Sequence, residues 1–128
     1  MTLLLDTHAL LWWLFDDPKL PEKCRQLIAD PGRDILVSSA SAWEISTKHR
    51  LGRLPEAGAL VRDIPKWIDR AGFRDLPVTI RHAQRAGGYL QSHRDPFDRM
   101  LAAQSELEDA PIVSRDEALD AFGISRIW

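Results

Sequence analysis

A chain of 128 residues, 45% hydrophobic and 28% charged, is long enough to close one core without crosslinks and has the composition of an ordinary globular domain. Its single cysteine, Cys24, excludes an internal disulfide and a thiolate metal cluster, and no apolar run reaches the ~20 residues of a membrane span. A net charge of -2 with a pI near 6.1 excludes nucleic-acid binding by bulk positive charge, so any such contact needs a local basic patch or bound cations.

In chain order, "TLLL" (2–5) predicts a short buried strand, and the stretch after it a helix over 7–15. The apolar opening "MTLLLDTHALLWWLF" is interrupted by Asp6 and His8 and carries neither a basic leader nor a small-residue cleavage site, so a cytoplasmic protein without a signal peptide is expected. Trp12 and Trp13 are adjacent and cannot both face one core; one is expected inward, the other against a partner or a neighbouring helix. A helix over 21–30 carries Cys24 as a structural thiol, and "DILVSS" (34–39) predicts the next strand.

The following helix, 41–50, places Ser41 and Glu44 at capping-box spacing and Glu44 and Lys48 as an i,i+4 ion pair, with Gly52 as its stop. Helical pattern continues over 57–71, "LPVT" (76–79) is either a fifth strand or a connection, and 79–92 is helical. In the helix over 96–108, Asp95 reads as N-cap, Pro96 as first residue and Asp98 as an acid favoured by the helix dipole. "PIVS" (111–114) and "ISRIW" (124–128) complete the strands, and Trp43 and Trp67 are expected in the core. Alternating strands and helices predict a single domain over 1–128, a three-layer α/β/α sandwich around a mainly parallel, short-stranded sheet. Five tryptophans in so short a chain favour a partner or a dimer.

Ligands of such sheets bind beyond the carboxyl ends of the strands. Asp6 and Asp116 each follow a predicted strand and should project at the same edge. Singly, each reads as an N-cap or turn former, and Glu44 and Asp98 have equally ordinary readings. Taken together, four carboxylates in one cleft repel unless divalent cations compensate them. Oxygen ligands without cysteine or a spaced histidine pair point to Mg2+ or Mn2+ rather than zinc, a centre suited to phosphodiester hydrolysis. Lys48, Arg50 and Arg53 in "KHRLGR" either hold phosphates beside such a centre or form a solvated helix end. Arg99, with Arg94, flanks the acidic pair and either neutralises it or contacts RNA. His8, His49, His82 and His93 share no metal spacing; His93 is expected to hydrogen-bond a loop carbonyl or Asp95 rather than to move protons.

"LLLDTHALLWWL", "SSASAWEISTKHRLGRL", "PVTIRHA", "HRDPFDRMLAAQ" and "IVSRDEALDAFGI" run in order over nearly the whole chain. In these blocks the sequence resembles PIN-domain ribonucleases, and within them the VapC-type toxins of bacterial toxin–antitoxin pairs. The resemblance implies a PIN-like sandwich and an endoribonuclease in which water activated by one or two Mg2+ or Mn2+ ions hydrolyses RNA. It matches Asp6, Glu44, Asp98 and Asp116 to the family's acidic cluster, with Thr7 and Ser114 as hydroxyls that orient a ligand carboxylate or water. In its block Asp98, rather than Asp95, aligns with the acidic position, and Glu117 stands beside Asp116 as a neighbouring carboxylate. A cognate antitoxin and a homodimer are also implied. The competing readings are a structure-selective DNA nuclease on the same scaffold, a phosphate-accepting signalling module and a binding module that keeps its acids only as caps. The signalling module requires an acidic pair after the first strand and a lysine after a late one, and the chain has neither.

Overall fold

Successive residues of a strand point to opposite sides of a sheet, and in this chain both sides are apolar. In the computed structural model, which describes residues 1–128, five strands form one sheet: β1 (Thr2–Leu5), β2 (Asp34–Ser38), β3 (Arg74–Leu76), β4 (Ile112–Val113) and β5 (Arg126–Ile127). Their order is β3-β2-β1-β4-β5, and every neighbouring pair is parallel. Leu3, Leu5, Ile35, Val37 and Val113 pack on one side with α1 (Thr7–Leu14), α2 (Glu22–Ala29), Ile45 of α3 (Ser39–Arg50), α4 (Gly58–Arg62) and α5 (Ile64–Ala71). Leu4, Leu36, Leu76 and Ile112 pack on the other with α6 (Ile80–Gly88) and α7 (Pro96–Leu107). The expected three-layer α/β/α sandwich is present. No helix is long and apolar enough to cross a membrane.

Several boundaries differ from expectation, each for a local reason. The helical stretch expected over 57–71 is broken into a 3-10 helix (Pro55–Ala57), α4 and α5. Pro65 lacks an N–H and its ring would clash with the carbonyl four residues back, which disfavours a continuous helix there; Asp63 starts a new one by accepting from the Lys66 amide at 3.2 Å. The fifth strand lies at Arg74–Leu76 rather than 76–79, because Pro77 cannot donate to the ladder. α3 begins at Ser39, not 41, and its N-cap is Ser38, whose hydroxyl accepts from the Ala40 amide at 3.0 Å. The expected Ser41–Glu44 capping box is therefore absent. A capping box does open α6, where Thr79 and His82 exchange hydrogen bonds.

Cys24 is fully buried, as a structural thiol should be. Trp13 packs near Phe73 and Trp12 near Trp128, while Trp67 meets Phe15 edge-on. Trp43 departs from the core expectation: it is 65% exposed, its ring meeting that of Phe97 edge-on at 5.0 Å.

Arg99, expected either to neutralise the acidic pair or to contact RNA, is turned to backbone acceptors. Its guanidinium donates to the carbonyls of Ala86 (2.9 Å), Tyr89 (2.6 Å), Gln91 (2.8 Å) and His93 (3.0 Å). Carbonyls at a helix C-terminus lack intrahelical donors, and one planar cation here serves the end of α6 and the segment after it. Lysine keeps the charge but cannot span four acceptors. Arg99→Lys is expected to cost roughly 1.5–3 kcal/mol of stability, the scale of hydrogen bonds to a charged group. Urea unfolding checks this, and an unchanged midpoint would show that the clamp adds nothing.

Candidate active site

Strand order reverses at β1: β2 and β3 lie to one side of it, β4 and β5 to the other. Two strands whose connections run in opposite directions leave a crevice outside their carboxyl ends, the usual ligand site of a parallel sheet. Asp6 stands there directly after β1, its amide donating to the Val113 carbonyl at 3.1 Å. It is also the N-cap of α1, with Oδ1 accepting from the Ala9 amide at 2.7 Å, and is only 8% exposed. Burial pushes its carboxyl above the usual range. The Ser114 hydroxyl, the Ala9 amide and the charge of His8 oppose that shift, and the charge of Glu44 adds to it.

Ser114, fully buried at the end of β4, accepts from the Asp116 amide at 3.0 Å. The exposed Asp116 caps a 3-10 helix (Glu117–Phe122) by accepting from the Ala118 amide at 3.0 Å. Asp6, Asp116, His8, Trp12, Arg115 and Glu117 line one open cavity of about 470 Å³. Glu44 is buried on α3, with Oε1 accepting from the Thr7 hydroxyl at 2.6 Å and Oε2 from Lys48 Nζ at 2.6 Å. Thr7 in turn lies 3.1 Å from the Ser41 hydroxyl. The expected Glu44–Lys48 pair thus exists, and it occupies both partners.

At the mouth of α7, Asp95 is the N-cap, its Oδ1 accepting from the amides of Phe97 (2.9 Å) and Asp98 (3.2 Å). Asp98 takes no part in capping. Its Oδ2 lies 2.9 Å from Nε2 of His93, so the partner of His93 is Asp98 rather than the loop carbonyl or Asp95 expected for it. Burial pushes the Asp98 carboxyl up, His93 opposes this, and the charges of Asp95 and Asp116 add to it.

The charge of Glu44 acts on Asp6 and that of Asp116 on Asp98, and Asp6 and Asp116 line one cavity. As the side chains stand, no three His, Cys, Asp or Glu groups are gathered around a common point that would hold a metal ion. Like charges keep their distance, and each carboxylate is turned to a partner of its own: Ala9, Thr7 and Lys48, His93, or Ala118. Among the expected cations, Arg50 and Arg53 are exposed at the end of α3, Lys48 is committed to Glu44, and Arg99 is spent on carbonyls. Arg115 was not singled out by the sequence, although it lies between Ser114 and Asp116. Its guanidinium sits 5.1 Å from the Trp12 ring centre in the cavity wall.

The raised Asp98 carboxyl has a consequence for stability. Between its ordinary value of 3.8 and its raised value the folded protein binds more protons than the unfolded chain. Stability therefore falls as pH rises through that window, and the deficit persists above it. Asp98→Asn removes the charge while its amide oxygen still accepts from His93. In chelator, the variant is expected to melt above the parent at pH 7, with the gain shrinking as pH falls toward 4. Thermal unfolding at both pH values checks this, and a variant that melts below the parent at pH 7 would show that the His93 bond outweighs burial.

Comparison with known proteins bears on this geometry. Ribonuclease VapC16 of Mycobacterium tuberculosis is 38% identical over 66 residues, which is 50% of this chain and 47% of that protein, so the match spans about half of each. VapBC2 from Rickettsia felis bound to a DNA fragment from their promoter superposes with a TM-score of 0.73 at 16% identity, covering 100% of this chain and 99% of that one. VapBC-1 from nontypeable Haemophilus influenzae gives 0.70 at 14%, covering 99% and 97%, and a toxin-antitoxin complex from Klebsiella pneumoniae gives 0.64 at 14%, covering 98% and 96%. At these identities the solved structures show a shared fold. Residues 3–124 match the PIN domain over almost the whole chain, and the protein belongs to the PIN domain family.

Proposed function

We propose that this PIN domain is a Mg2+- or Mn2+-dependent endoribonuclease and the toxin of a VapC-type toxin–antitoxin pair. The observation that carries the reading is the buried carboxyl of Asp6 and the partly buried carboxyl of Asp98, each made less acidic by desolvation and by a further acid, at the edge of the sheet where strand order reverses. Uncompensated, such burial costs stability; a cation repays it. The half-length identity to a ribonuclease and the fold shared with toxin–antitoxin complexes support the same reading.

The donor set fits a hard cation, since every acid in the crevice offers oxygen and no thiol is near. Asp6, Asp98 and Asp116 are the residues that would hold it, with Glu44 joining if it exchanges its Lys48 pair. A divalent ion bound there supplies Lewis acidity to water and neutralises charge on phosphate oxygens. The chain's own groups do the rest. The Ala9 amide fixes one oxygen of Asp6, leaving its carboxylate a defined direction. Thr7 anchors Glu44, and the Ser114 hydroxyl stands between Asp6 and the Asp116 amide. Arg115 in the cavity wall, with the exposed Arg50 and Arg53 at the end of α3, supplies positive charge for the RNA backbone, which an acidic chain needs locally. The exposed Trp43, with Val78, Pro96, Phe97 and Met100, borders an apolar recess of about 300 Å³, which supports a homodimer or antitoxin contact in the same reading.

Chelator-treated protein is expected to leave single-stranded RNA intact and to cleave it when Mg2+ or Mn2+ is restored. Asp98→Asn should lower that rate on the order of 100-fold or more, at least the effect of losing a group that supports a metal ligand. Cleavage that persists unchanged in excess EDTA sinks the metal mechanism, and equal cleavage of DNA of the same sequence transfers the reading to a DNA nuclease. Expression alone is expected to arrest a bacterial host that carries no antitoxin; vigorous growth with abundant, folded protein would remove the toxin role.

A further inference from the structure

In the segment between α6 and α7, His93 is held from three directions. The His93 carbonyl accepts from Arg99 Nη1 at 3.0 Å, and its ring meets the buried Phe122 edge-on, with centres 5.5 Å apart. At its tip, Nε2 lies 2.9 Å from Asp98 Oδ2. Phe122 closes the 3-10 helix that Asp116 opens, and its other neighbour is the Tyr89 ring at 4.8 Å. The imidazole therefore sits between the start of α7 and the segment that carries Asp116. Asp98, at the third position of α7, makes no backbone hydrogen bond through its side chain, so its carboxylate would otherwise turn about its last bond. A donor on one oxygen removes that freedom.

We propose that His93 is the positioning residue for Asp98: its Nε2–H holds Oδ2, so that Oδ1, on which no protein donor lies, is the oxygen presented to a divalent cation. This rests on the reading that Asp98 helps to hold that cation. His93 takes no proton from substrate and binds no metal, because the nitrogen nearest the site is already committed to the carboxylate. The clamp by Arg99 belongs to the same device, since it fixes the backbone from which the imidazole reaches Asp98. Carboxylates that ligate metals are generally hydrogen-bonded by such groups, whose loss lowers metal affinity by about 10–100-fold.

The test measures Mn2+ affinity of the full chain from the resonance of free Mn2+, with melting temperature in EDTA as the control for folding. The parent is expected to bind Mn2+ and Asp98→Asn to lose it. His93→Phe keeps a ring against Phe122 but has no donor, and is expected to bind about 10–100-fold more weakly. His93→Gln carries an amide donor at similar reach and should recover most of that loss. His93→Leu gives the same donor-free comparison should His93→Phe fail to fold. If the donor-free variant binds Mn2+ as the parent does while Asp98→Asn has lost it, positioning by His93 is overturned and the Asp98 reading stands. If His93→Gln, folded, is as weak as His93→Phe, the donor is not the cause and the proposal falls. If the parent binds no Mn2+, or Asp98→Asn binds as the parent does, the Asp98 reading itself fails, and the proposal with it.

Discussion

A carboxylate buried at the end of the central strand is the constraint around which this fold is arranged. Asp6 is the last link of the β1 ladder, through its amide to Val113, and the first of α1, through Oδ1 to Ala9. Leaving such a group without partners would cost several kcal/mol, so the sequence nearby is fixed by the need to satisfy it. Thr7 follows and turns its hydroxyl to Glu44, Glu44 is in turn neutralised by Lys48, and Ser114 arrives from the neighbouring strand. These groups are far apart in sequence and come together because β1 lies between β2 and β4. The sheet order is what turns scattered polar residues into one crevice.

Capping and function are usually weighed against each other for an acid that follows a strand, yet here the geometry makes them compatible. A cap needs one carboxylate oxygen. Asp6 and Asp116 each give Oδ1 to an amide two or three residues on, which fixes the side chain at the wall of a shared cavity. The helix start therefore orients the acid, and the ordinary reading of each residue supplies the preorganisation that the functional one requires.

What the sequence made legible was whatever follows from strict periodicity or from single-residue stereochemistry. Leu3–Leu4–Leu5 and Ile35–Leu36–Val37 read as strands buried on both faces, and they are. Asp95 and Pro96 read as the start of a helix, and they are. Errors arose where a helical pattern continued past a backbone obstacle: apolar spacing carries through Pro65, but the missing N–H does not. They arose again where two residues of one type compete, since Ser38 rather than Ser41 took the cap and freed Ser41 to face Thr7. Trp43 was misplaced because residue type alone says large and apolar, whereas its position on α3 points away from the sheet. Partners of long side chains were the least legible. Nothing in the spacing of Arg99 indicates four carbonyl acceptors, because those acceptors are created by the path of the segment between α6 and α7.

"HRDPFDR" shows how much can be built into seven residues when backbone and side chains divide the work. Asp95 and Asp98 are three apart on one helix turn, and identical groups so close would compete for the same amides. They do not, because Pro96 has no amide to give and Asp95 takes those of Phe97 and Asp98. The amide of Asp98 is thereby consumed by its neighbour, and its carboxylate has to look elsewhere. Arg99, one residue on, folds the preceding segment back over the start of the helix and delivers His93 to that carboxylate. The proline, the cap and the arginine are each explained by backbone hydrogen bonding alone. Their joint result is a charged group held at the crevice by a side chain rather than by the helix, and a carboxylate held in that way keeps one oxygen free.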